Sequence, residues 1–506
     1  MSSKRIDRRK FLVRSLETAV GLSLLASCDK RALVEPDSRL PSAPVGLAPD
    51  FDIDSQTNQI SDVIISWDPH DLTDITGAPL KTVNPNIQIS GYNLYRTNDT
   101  NPPKTATAPL NGSSLITATT FTDKNSIAVG DGYYYWIEAV DSDNNISPLS
   151  APLYVYVMSP SPVYVATNTN AVSNGILVAS EVSKTVNAAV LAVAQGLTQT
   201  TPSTIGGAYE SIFGGVTKDS IVGIKINTLA ASTANGLCTH IEVVEAIVGG
   251  LTGMLNGAFP ASNIIVFDDR YSVTGPAPMS QMHNAGYDPT RNVTSYRIAS
   301  VNYNTTLNGI PSSQAETPAM LWADTYTISG VPIRLSSLIQ NLDYIINVPV
   351  IKDHDDAGIT FSLKNFFGTI DNPGGLHQGN LAPEMVGTEV PTVYQLVTRQ
   401  LGTLRNATGR VTSILTIGDG FLGAYNNGPA CAPSSGFVPC QVIAGTDPVA
   451  TDAYVLTKLI NPIRVANKKA PYSYGPSGAA RHILTATRPE YNLGSIVPRV
   501  VSVPVV

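Results

Sequence analysis

Residues 343–368 have the sequence DYIINVPVIKDHDDAGITFSLKNFFG, and this stretch decides the fold of the larger part of the chain. An apolar, β-rich run over 343–350 predicts a buried strand. A polar loop follows, and the spacing of the apolar side chains after it predicts a short helix over 359–367. The stripe that this helix would bury consists of Ile359, Leu363 and Phe367. A strand that leads through a loop into a helix is the repeating unit of an α/β fold.

The rest of 158–506 repeats this alternation of strand-like and helix-like stretches. Apolar β-rich runs occur at 221–226, 263–267, 343–350, 412–418 and 441–444. Stretches with helical character lie at 176–195, 240–255, 359–367, 391–405 and 447–460. Parallel strands need crossover connections, which are usually helical, so the pattern predicts an α/β domain over 158–506 with a mainly parallel sheet.

Polar side chains follow the ends of the predicted strands. Because ligands of open α/β sheets bind beyond the carboxyl ends of the strands, we expect several of these side chains to converge in one cleft. The candidate catalytic residues are Lys225, His240, Lys352, His354, Lys364 and Asn365. The candidate ligands of a divalent metal are Asp268, His354, Asp419 and Asp447. The alternative is that polar residues simply mark where each strand stops.

His354 is central to the chemical hypothesis. It could act as a general acid or base, or it could ligate a divalent metal beside the aspartates. The lysines would neutralise an anionic substrate. The alternative is that His354 lies in a solvated loop, and the presence of a metal is left open. The chain lacks a nucleophile elbow, a phosphate-binding loop, a zincin motif and a dinucleotide-binding fingerprint.

The amino-terminal residues have the features of an export signal. Arg8 and Arg9 precede an apolar stretch over 16–25, which is too short to cross ~30 Å of hydrocarbon as a permanent helix. The Arg-Arg-x-Phe-Leu pattern resembles a twin-arginine signal, and Leu-Ala-Ser-Cys, which ends at Cys28, resembles a bacterial lipobox. This resemblance implies a signal peptide over 1–27, a lipid on Cys28, and a location on the periplasmic or cell-surface side of a bacterial membrane. The alternative is an ordinary secretory leader.

Composition excludes several classes of partner. The chain has a net charge of −7 at pH 7, and removal of the basic leader would make it more acidic. An acidic chain is a poor candidate for binding nucleic acid or an anionic membrane surface, so the lipid anchor is the expected attachment to a membrane. Charged residues make up only 14% of the chain, which is typical of a protein outside the cytoplasm.

Four cysteines are present, of which Cys28 is the predicted site of lipidation. Cys431 and Cys440 flank a loop rich in proline, serine and glycine. An oxidising compartment predicts a disulfide between them, and free thiols are the alternative. Cys238 is expected to be a buried thiol. No Cys-x-x-Cys pair occurs, so no iron–sulfur cluster is expected.

Residues 45–157 have a different pattern and follow a polar, proline-bearing tether over 28–44. Their short β-rich runs, separated by turn residues, predict an antiparallel sandwich. Trp67 and the Gly-Tyr-x-Leu-Tyr-Arg segment at 91–96 resemble the second and third strands of a fibronectin type III domain. Asn-Ile-Ser-x-x-Ser at 145–150 resembles the end of such a domain. The resemblance implies a spacer or binding module whose aromatic residues form its core.

The region 158–506 resembles, over most of its length, the exported and ferredoxin-associated family called domain of unknown function 362. The matching motifs are Val-Gly-Ile-Lys-Ile-Asn at 222–227, Thr239-His240, Asn-x-Pro-x-x-Lys-x-His at 347–354, Gly-x-Thr-x-x-Leu-Lys-Asn-x-x-Gly at 358–368, Asp419-Gly420 and Gly-Thr-Asp-Pro-Val-Ala-x-Asp at 445–452. The resemblance supports the fold and the site, whereas the family has no assigned reaction. Some relatives carry a cysteine-rich ferredoxin segment, which is absent from this sequence, so an electron relay within the chain is not expected.

Two functions follow from these observations. The first is an exported, lipid-anchored bacterial enzyme whose α/β domain acts on an anionic substrate, with metal assistance left open. The second is a non-catalytic envelope lipoprotein that binds a glycan, a peptide or an anion. An envelope protein whose α/β domain has lost its activity is a third interpretation.

Overall fold

The computed structural model describes most of the chain from residue 41 onward. The described residues are 41–54, 59–68, 87–104, 106–124, 127–230, 236–268, 297–300, 322–336, 338–377, 386–403, 413–426, 428–475 and 478–506. The predicted signal peptide, the predicted lipidation site Cys28 and most of the tether lie outside these residues. No helix in the described ranges combines the length and the apolar character that a membrane span requires.

Two antiparallel sheets of three strands each form the first part of the described chain. The strands are β1 (Ala48–Ile53), β2 (Ile60–Ser66), β3 (Ile89–Thr97), β4 (Thr120–Asp123), β5 (Gly132–Asp141) and β6 (Leu153–Tyr156). One sheet has the order β1-β2-β4 and the other β3-β5-β6. The buried rings of Trp67 and Tyr92 meet edge to face, with their centroids 5.3 Å apart. The assignment of this part to the fibronectin type III family remains a prediction.

A ten-stranded sheet lies at the centre of the remaining chain. The strands of this part are β7 (Ser161–Thr167), β8 (Val172–Ser173), β9 (Ile176–Leu177), β10 (Val222–Lys225), β11 (Ile264–Asp268), β12 (Arg297–Ser300), β13 (Trp322–Ile328), β14 (Val331–Ser336), β15 (Tyr344–Asn347), β16 (Val350–His354), β17 (Gly358–Thr360), β18 (Ile414–Ala424), β19 (Gln441–Gly445) and β20 (Pro498–Val503). The large sheet has the order β12-β11-β10-β15-β18-β19-β7-β20, with β16 beside β18 and β17 beside β16.

Most neighbours in this sheet are parallel. β10 pairs in parallel with β11 and β15, β15 and β16 pair in parallel with β18, and β7 pairs in parallel with β20. β19 is antiparallel to both of its neighbours, β18 and β7. The predicted α/β architecture with a mainly parallel sheet is therefore confirmed.

Helices pack on both faces of the sheet. They are α1 (Ala179–Thr198), α2 (Ile205–Phe213), α3 (Ile241–Thr252), α4 (Met254–Gly257), α5 (Leu338–Asn341), α6 (Val386–Gln400), α7 (Pro448–Tyr454), α8 (Asn461–Ala466) and α9 (Arg481–Ala486). Ile346 of β15 belongs to a core formed with α1, α2 and α3, and its neighbour Ile345 belongs to a second core formed with α6, α7 and α9. Because both faces are buried, the strands are almost continuously apolar in sequence.

The predicted helix over 359–367 is wrong. The chain forms the short strand β17 there, and then a 3₁₀-helix over Lys364–Thr369. β17 pairs antiparallel with β16, so that Lys352 lies opposite Thr360. The turn between the two strands depends on Gly358, whose φ of +70° is a conformation that glycine adopts without strain.

The predicted disulfide between Cys431 and Cys440 is absent, and the cysteines within the described residues are free thiols. Cys431 packs in a small core with Leu237. Cys440 precedes β19, where its carbonyl oxygen accepts a hydrogen bond from the backbone of Asn168. The two cysteines therefore have separate environments. Burial raises the pKa of both thiols and raises the pKa of Cys238 to about 11, which agrees with the prediction of a buried thiol there.

Candidate functional site

The carboxyl ends of neighbouring parallel strands lie at the same level of the large sheet. Lys225, the last residue of β10, pairs with Phe267 of β11 on one side and with Asn347 of β15 on the other. Asn347 in turn lies opposite Thr416 of β18. Polar residues at and just after these positions are therefore neighbours in space, although they are far apart in sequence.

A buried ion pair joins the ends of β10 and β11. Lys225 Nζ lies 2.6 Å from Asp268 Oδ1, and the two side chains are only 1% and 5% exposed. Thr228 donates two hydrogen bonds to the other carboxylate oxygen, from its backbone nitrogen at 2.6 Å and from its hydroxyl at 2.7 Å. The opposite charges offset each other, so Lys225 is held by Asp268 and its charge is not available to a ligand.

A chain of amide side chains connects the neighbouring strand ends. Lys352 donates to Asn227 Oδ1 at 2.8 Å and to the Leu237 carbonyl oxygen at 3.0 Å. Asn227 donates to Asn365 Oδ1 at 3.1 Å, and Asn365 donates to Asn347 Oδ1 at 2.8 Å. Both of these acceptors of Lys352 are neutral, and burial lowers the pKa of its ammonium group. The predicted residues Lys352 and Asn365 thus belong to one network.

The turn that carries Lys364 is fixed by a carboxylate of α7. Asp452 accepts hydrogen bonds from the backbone nitrogens of Ser362 at 2.6 Å and of Leu363 at 3.2 Å. The Ser362 hydroxyl also lies 2.7 Å from the hydroxyl of Thr416. Burial raises the pKa of Asp452 to about 8, while the two backbone donors favour its charged form. The position of Lys364 is therefore set by α7 and β18, as well as by its own strand.

Lys364 and His377 form a buried basic pair. Lys364 Nζ lies 2.7 Å from His377 Nε2 and 4.0 Å from the centroid of the Phe367 ring. His377 Nδ1 lies 2.6 Å from the Pro373 carbonyl oxygen, which can only accept, so the ring proton must be on Nδ1. His377 Nε2 therefore accepts from Lys364. Burial lowers the pKa of Lys364 to about 7, and the Lys364 charge together with burial lowers the pKa of His377 to about 4.

His354 stacks on this pair. Its ring is nearly parallel to that of His377, with the centroids 5.3 Å apart. His354 Nδ1 accepts from the backbone nitrogens of Asp356 at 3.1 Å and Ala357 at 3.3 Å, which places the ring proton on Nε2. Burial and the nearby charge of Lys364 lower the pKa of His354. His354 is therefore a neutral imidazole with an Nε2–H group that can donate.

His240 and Asp419 form a second imidazole site at the same edge. Asp419 Oδ2 lies 2.7 Å from His240 Nδ1 and also accepts from the His240 backbone nitrogen at 2.8 Å. Burial lowers the pKa of His240, but the charge and hydrogen bond of Asp419 outweigh it, so the pKa is raised. The His240 side chain remains 20% exposed. The carboxylate thus orients the ring and leaves its Nε2 for other contacts.

The four predicted metal ligands do not come together. Asp268 and Asp419 are engaged by the basic side chains described above, and His354 Nδ1 is occupied by backbone donors. Within the described residues no three His, Cys, Asp or Glu side chains form a group that could hold a metal ion. The geometry of the described residues therefore does not support the predicted metal site.

Asp447 shows why the predicted metal ligands do not meet at one place. It caps α7 and accepts from the backbone nitrogens of Val449 and Ala450, both at 2.9 Å. Asp447 follows β19, which is antiparallel to β18, with Gly445 opposite Thr416. The carboxyl end of β19 therefore points away from the edge that the parallel strands form. Burial raises the pKa of Asp447 to about 6.

Three side chains of the site were not among the sequence-predicted candidates. Asn227 links Lys352 to Asn365, His377 pairs with Lys364, and His482 of α9 is fully buried near Lys364 and His354. The position of Asn227 just after β10 was a signal that could have found it. His482 lies in no recognisable motif, and only the packing of α9 reveals it.

Comparisons with known proteins support the family resemblance over part of the chain. No curated protein matches the sequence. A solved structure titled "Myokine structure" matches with 16% sequence identity and covers 23% of this chain and 98% of its own. Its TM-score of 0.15 carries no argument about the fold. The model of the family described as "Domain of unknown function (DUF362)" matches residues 222–457, which include every predicted catalytic residue, and this supports the predicted resemblance of the carboxyl-terminal region.

Proposed function

We propose that this protein is an exported, lipid-anchored enzyme whose α/β region transfers protons on an anionic substrate. One observation carries the proposal: a buried lysine, Lys364, donates to a neutral histidine and has no carboxylate within hydrogen-bonding distance among the described residues. A lysine of this kind is partly unprotonated at neutral pH and can accept a proton.

The neighbours of Lys364 support a division of roles. Lys364 would take the proton from the substrate, while His377 accepts from the Lys364 amino group and keeps it in place. His354 would donate from Nε2 to an oxygen of the substrate, since it stays neutral at physiological pH. The amide network around Asn365 and Lys352 would hold the ends of the strands at fixed distances.

The cellular location of the protein is a separate part of the proposal. A twin-arginine signal over 1–27 and a lipid on Cys28 would place the chain outside the cytoplasm, and the fibronectin type III-like part over 45–157 would act as a spacer or presenting module. Replacement of Cys28 by Ser should release the protein from the membrane fraction. Replacement of both Arg8 and Arg9 by Lys should retain the unprocessed precursor inside the cell. If both variants fractionate as the wild type does, this part of the proposal is wrong.

The alternative is a non-catalytic lipoprotein that binds a glycan, a peptide or an anion. One observation favours this alternative: Lys225 and Asp268 already neutralise each other in a buried ion pair. A pure binding protein can use the remaining basic groups without any proton transfer. The two functions therefore differ in whether Lys364 changes its protonation state during the process.

Turnover in heavy water separates the two functions. The full-length protein is incubated in D₂O with a panel of phosphate esters and small carboxylic acids, and NMR follows both hydrolysis and the exchange of carbon-bound protons for deuterium. The enzyme proposal expects one substrate class to react and Lys364→Met to lower the rate by about 10²-fold or more. Lys184→Met, on the exposed surface of α1, is the matched control and should leave the rate unchanged. Equal rates with Lys364→Met would contradict the proposed role of Lys364.

A further inference from the structure

Within the described residues, the site contains buried polar atoms that lack a hydrogen-bond partner, on His482 and on Thr360. Both ring nitrogens of His482 are buried and make no hydrogen bond within the described residues. The carboxylate oxygen Oδ2 of Asp452 is 3.9 Å from His482 Nε2, which is too long for a hydrogen bond, and burial keeps the ring neutral by lowering its pKa to about 3. A buried imidazole without partners costs free energy, so its retention calls for a physical explanation.

Thr360 and His354 add two further donors. The hydroxyl of Thr360 is buried without a partner among the described residues. Thr360 lies opposite Lys352, and Gly358 lies opposite His354, so Thr360, Lys352 and His354 are on the same face of the β16–β17 pair. His354 Nε2–H also has no hydrogen-bond partner in the described part of the chain. Asp353, between Lys352 and His354, is on the opposite face.

Lys364 and three histidines form a group of basic side chains in the site. His354, His377 and His482 all lie close enough for the charge of Lys364 to lower their pKa values. The carboxylates of Asp356 and Glu389 have the opposite effect and raise the pKa of Lys364. Burial outweighs these two carboxylates, and neither of them lies within hydrogen-bonding distance of the Lys364 amino group in the described part of the chain.

We propose that Lys364, His354, Thr360 and His482 together bind a compact oxyanion, namely a phosphate or carboxylate group of the ligand. The inference rests on the proposed function, since it names the chemical group of the substrate that the same site would hold. Oxygen atoms of an anion accept hydrogen bonds from hydroxyl, imidazole and ammonium donors, and charge-assisted bonds of this kind are the stronger ones. An anion would therefore satisfy the buried donors and offset the charge of Lys364.

Binding should be linked to proton uptake. An anion beside Lys364 favours the ammonium form, so at a pH slightly above 7 the amine takes up a proton as the anion binds. Ordered water is the alternative occupant of the donors. Water would satisfy the hydrogen bonds, but it would not compensate the charge and would not couple binding of an added anion to protonation.

The test is isothermal titration calorimetry of the full-length protein with inorganic phosphate and with acetate. Acetamide, which has the shape of acetate without its charge, is the matched ligand control. Thr360→Val keeps the volume of the side chain, His482→Phe keeps an aromatic ring, and both remove the polar atoms, so we expect each to weaken the anion Kd by about tenfold or more. Thr185→Val, in the middle of α1, and Tyr209→Phe, in the other core, are the matched control variants and should bind as the wild type does.

Two results would overturn the inference. The first is that neither phosphate nor acetate binds at concentrations up to about 50 mM, which is the outcome if water alone fills the site. The second is that Thr360→Val binds both anions as tightly as the wild type. Thr360→Val decides the question if His482→Phe fails to fold, because valine is isosteric with threonine. A preference for phosphate over acetate, or the reverse, identifies which oxyanion the ligand carries.

The same titrations separate this inference from the proposed function. Calorimetry in buffers of different ionisation enthalpy measures the protons taken up on binding. If an anion binds as expected but no proton is taken up, the oxyanion site stands and the role of Lys364 as a proton acceptor fails. If Lys364 titrates near neutral pH but no anion binds, the proposed function stands and the oxyanion inference fails.

Discussion

Replacement of Lys364 by Met should change how the stability of the protein depends on pH. Burial lowers the pKa of Lys364 from an ordinary value of 10.5 to about 7. Between these values the unfolded chain carries a proton that the folded protein does not, so the free energy of unfolding rises with pH. Below about pH 7 both states are protonated, and Lys364 adds no slope. In the Met variant this contribution is absent at every pH.

The magnitude follows from the same pKa values. Each pH unit above 7 adds at most about 1.4 kcal/mol to the wild-type free energy of unfolding, which gives about 3 kcal/mol by pH 9.5. At about pH 6 the Met variant should be the more stable protein, since it no longer buries an ammonium group whose hydrogen bond goes to a neutral histidine. This advantage should shrink steadily as the pH rises.

Urea midpoints measured by circular dichroism at about pH 6, 7, 8 and 9 test this prediction for the wild type and Lys364→Met. Lys184→Met, which alters an exposed lysine of α1, controls for the removal of a positive charge. The difference between the wild type and Lys364→Met isolates Lys364 from the other groups that titrate nearby. If this difference is the same at about pH 6 and pH 9, Lys364 does not titrate in that range and the argument from burial is refuted.

Three further predictions concern the framework of the site. Asp268→Asn should lower the free energy of unfolding by about 3–5 kcal/mol, because it leaves the Lys225 charge buried without its partner. The double variant Lys225→Met/Asp268→Leu should lose less stability than this. Strictly additive losses would contradict the pairing of the two side chains. Asp447→Ala should lower the free energy of unfolding by about 1–2 kcal/mol, because the amino-terminal cap of α7 is lost. Asp447→Asn should keep most of this stability, since asparagine can also cap a helix. Equal Tm values for the two variants would argue against a capping role. Alkylation of the denatured protein without reductant should label both Cys431 and Cys440, and mass spectrometry that finds them joined would restore the disulfide.

Much of the sheet edge could be predicted because parallel strands end at a common level. Lys225, Asp268 and Asn365 lie in one connected region for this reason, as the polar positions after the strands indicated. The direction of β19 could not be predicted in the same way, because an antiparallel strand has the same apolar pattern as a parallel one. Asp447 was placed in the site on this false premise, and it is a helix cap.

The strand pair that carries His354 shows a second limit. The spacing of apolar residues at 359–367 fits a helix, but the positive φ of Gly358 lets the chain fold back on β16, and tertiary pairing overrides the local pattern. His482 could not be found from any motif, because its proximity to Lys364 depends on how α9 packs against the second core. Geometry of this kind is set by packing, which periodicity alone does not specify.

The most direct test is an NMR titration of the Lys364 side chain in the intact protein. Lysine labelled with ¹³C at Cε gives one signal for each lysine, and Lys364→Met identifies the signal of Lys364. The account predicts a midpoint near pH 7 for this signal. A midpoint close to the ordinary lysine value of 10.5 would contradict the claim that a buried, partly unprotonated lysine lies at the centre of the site.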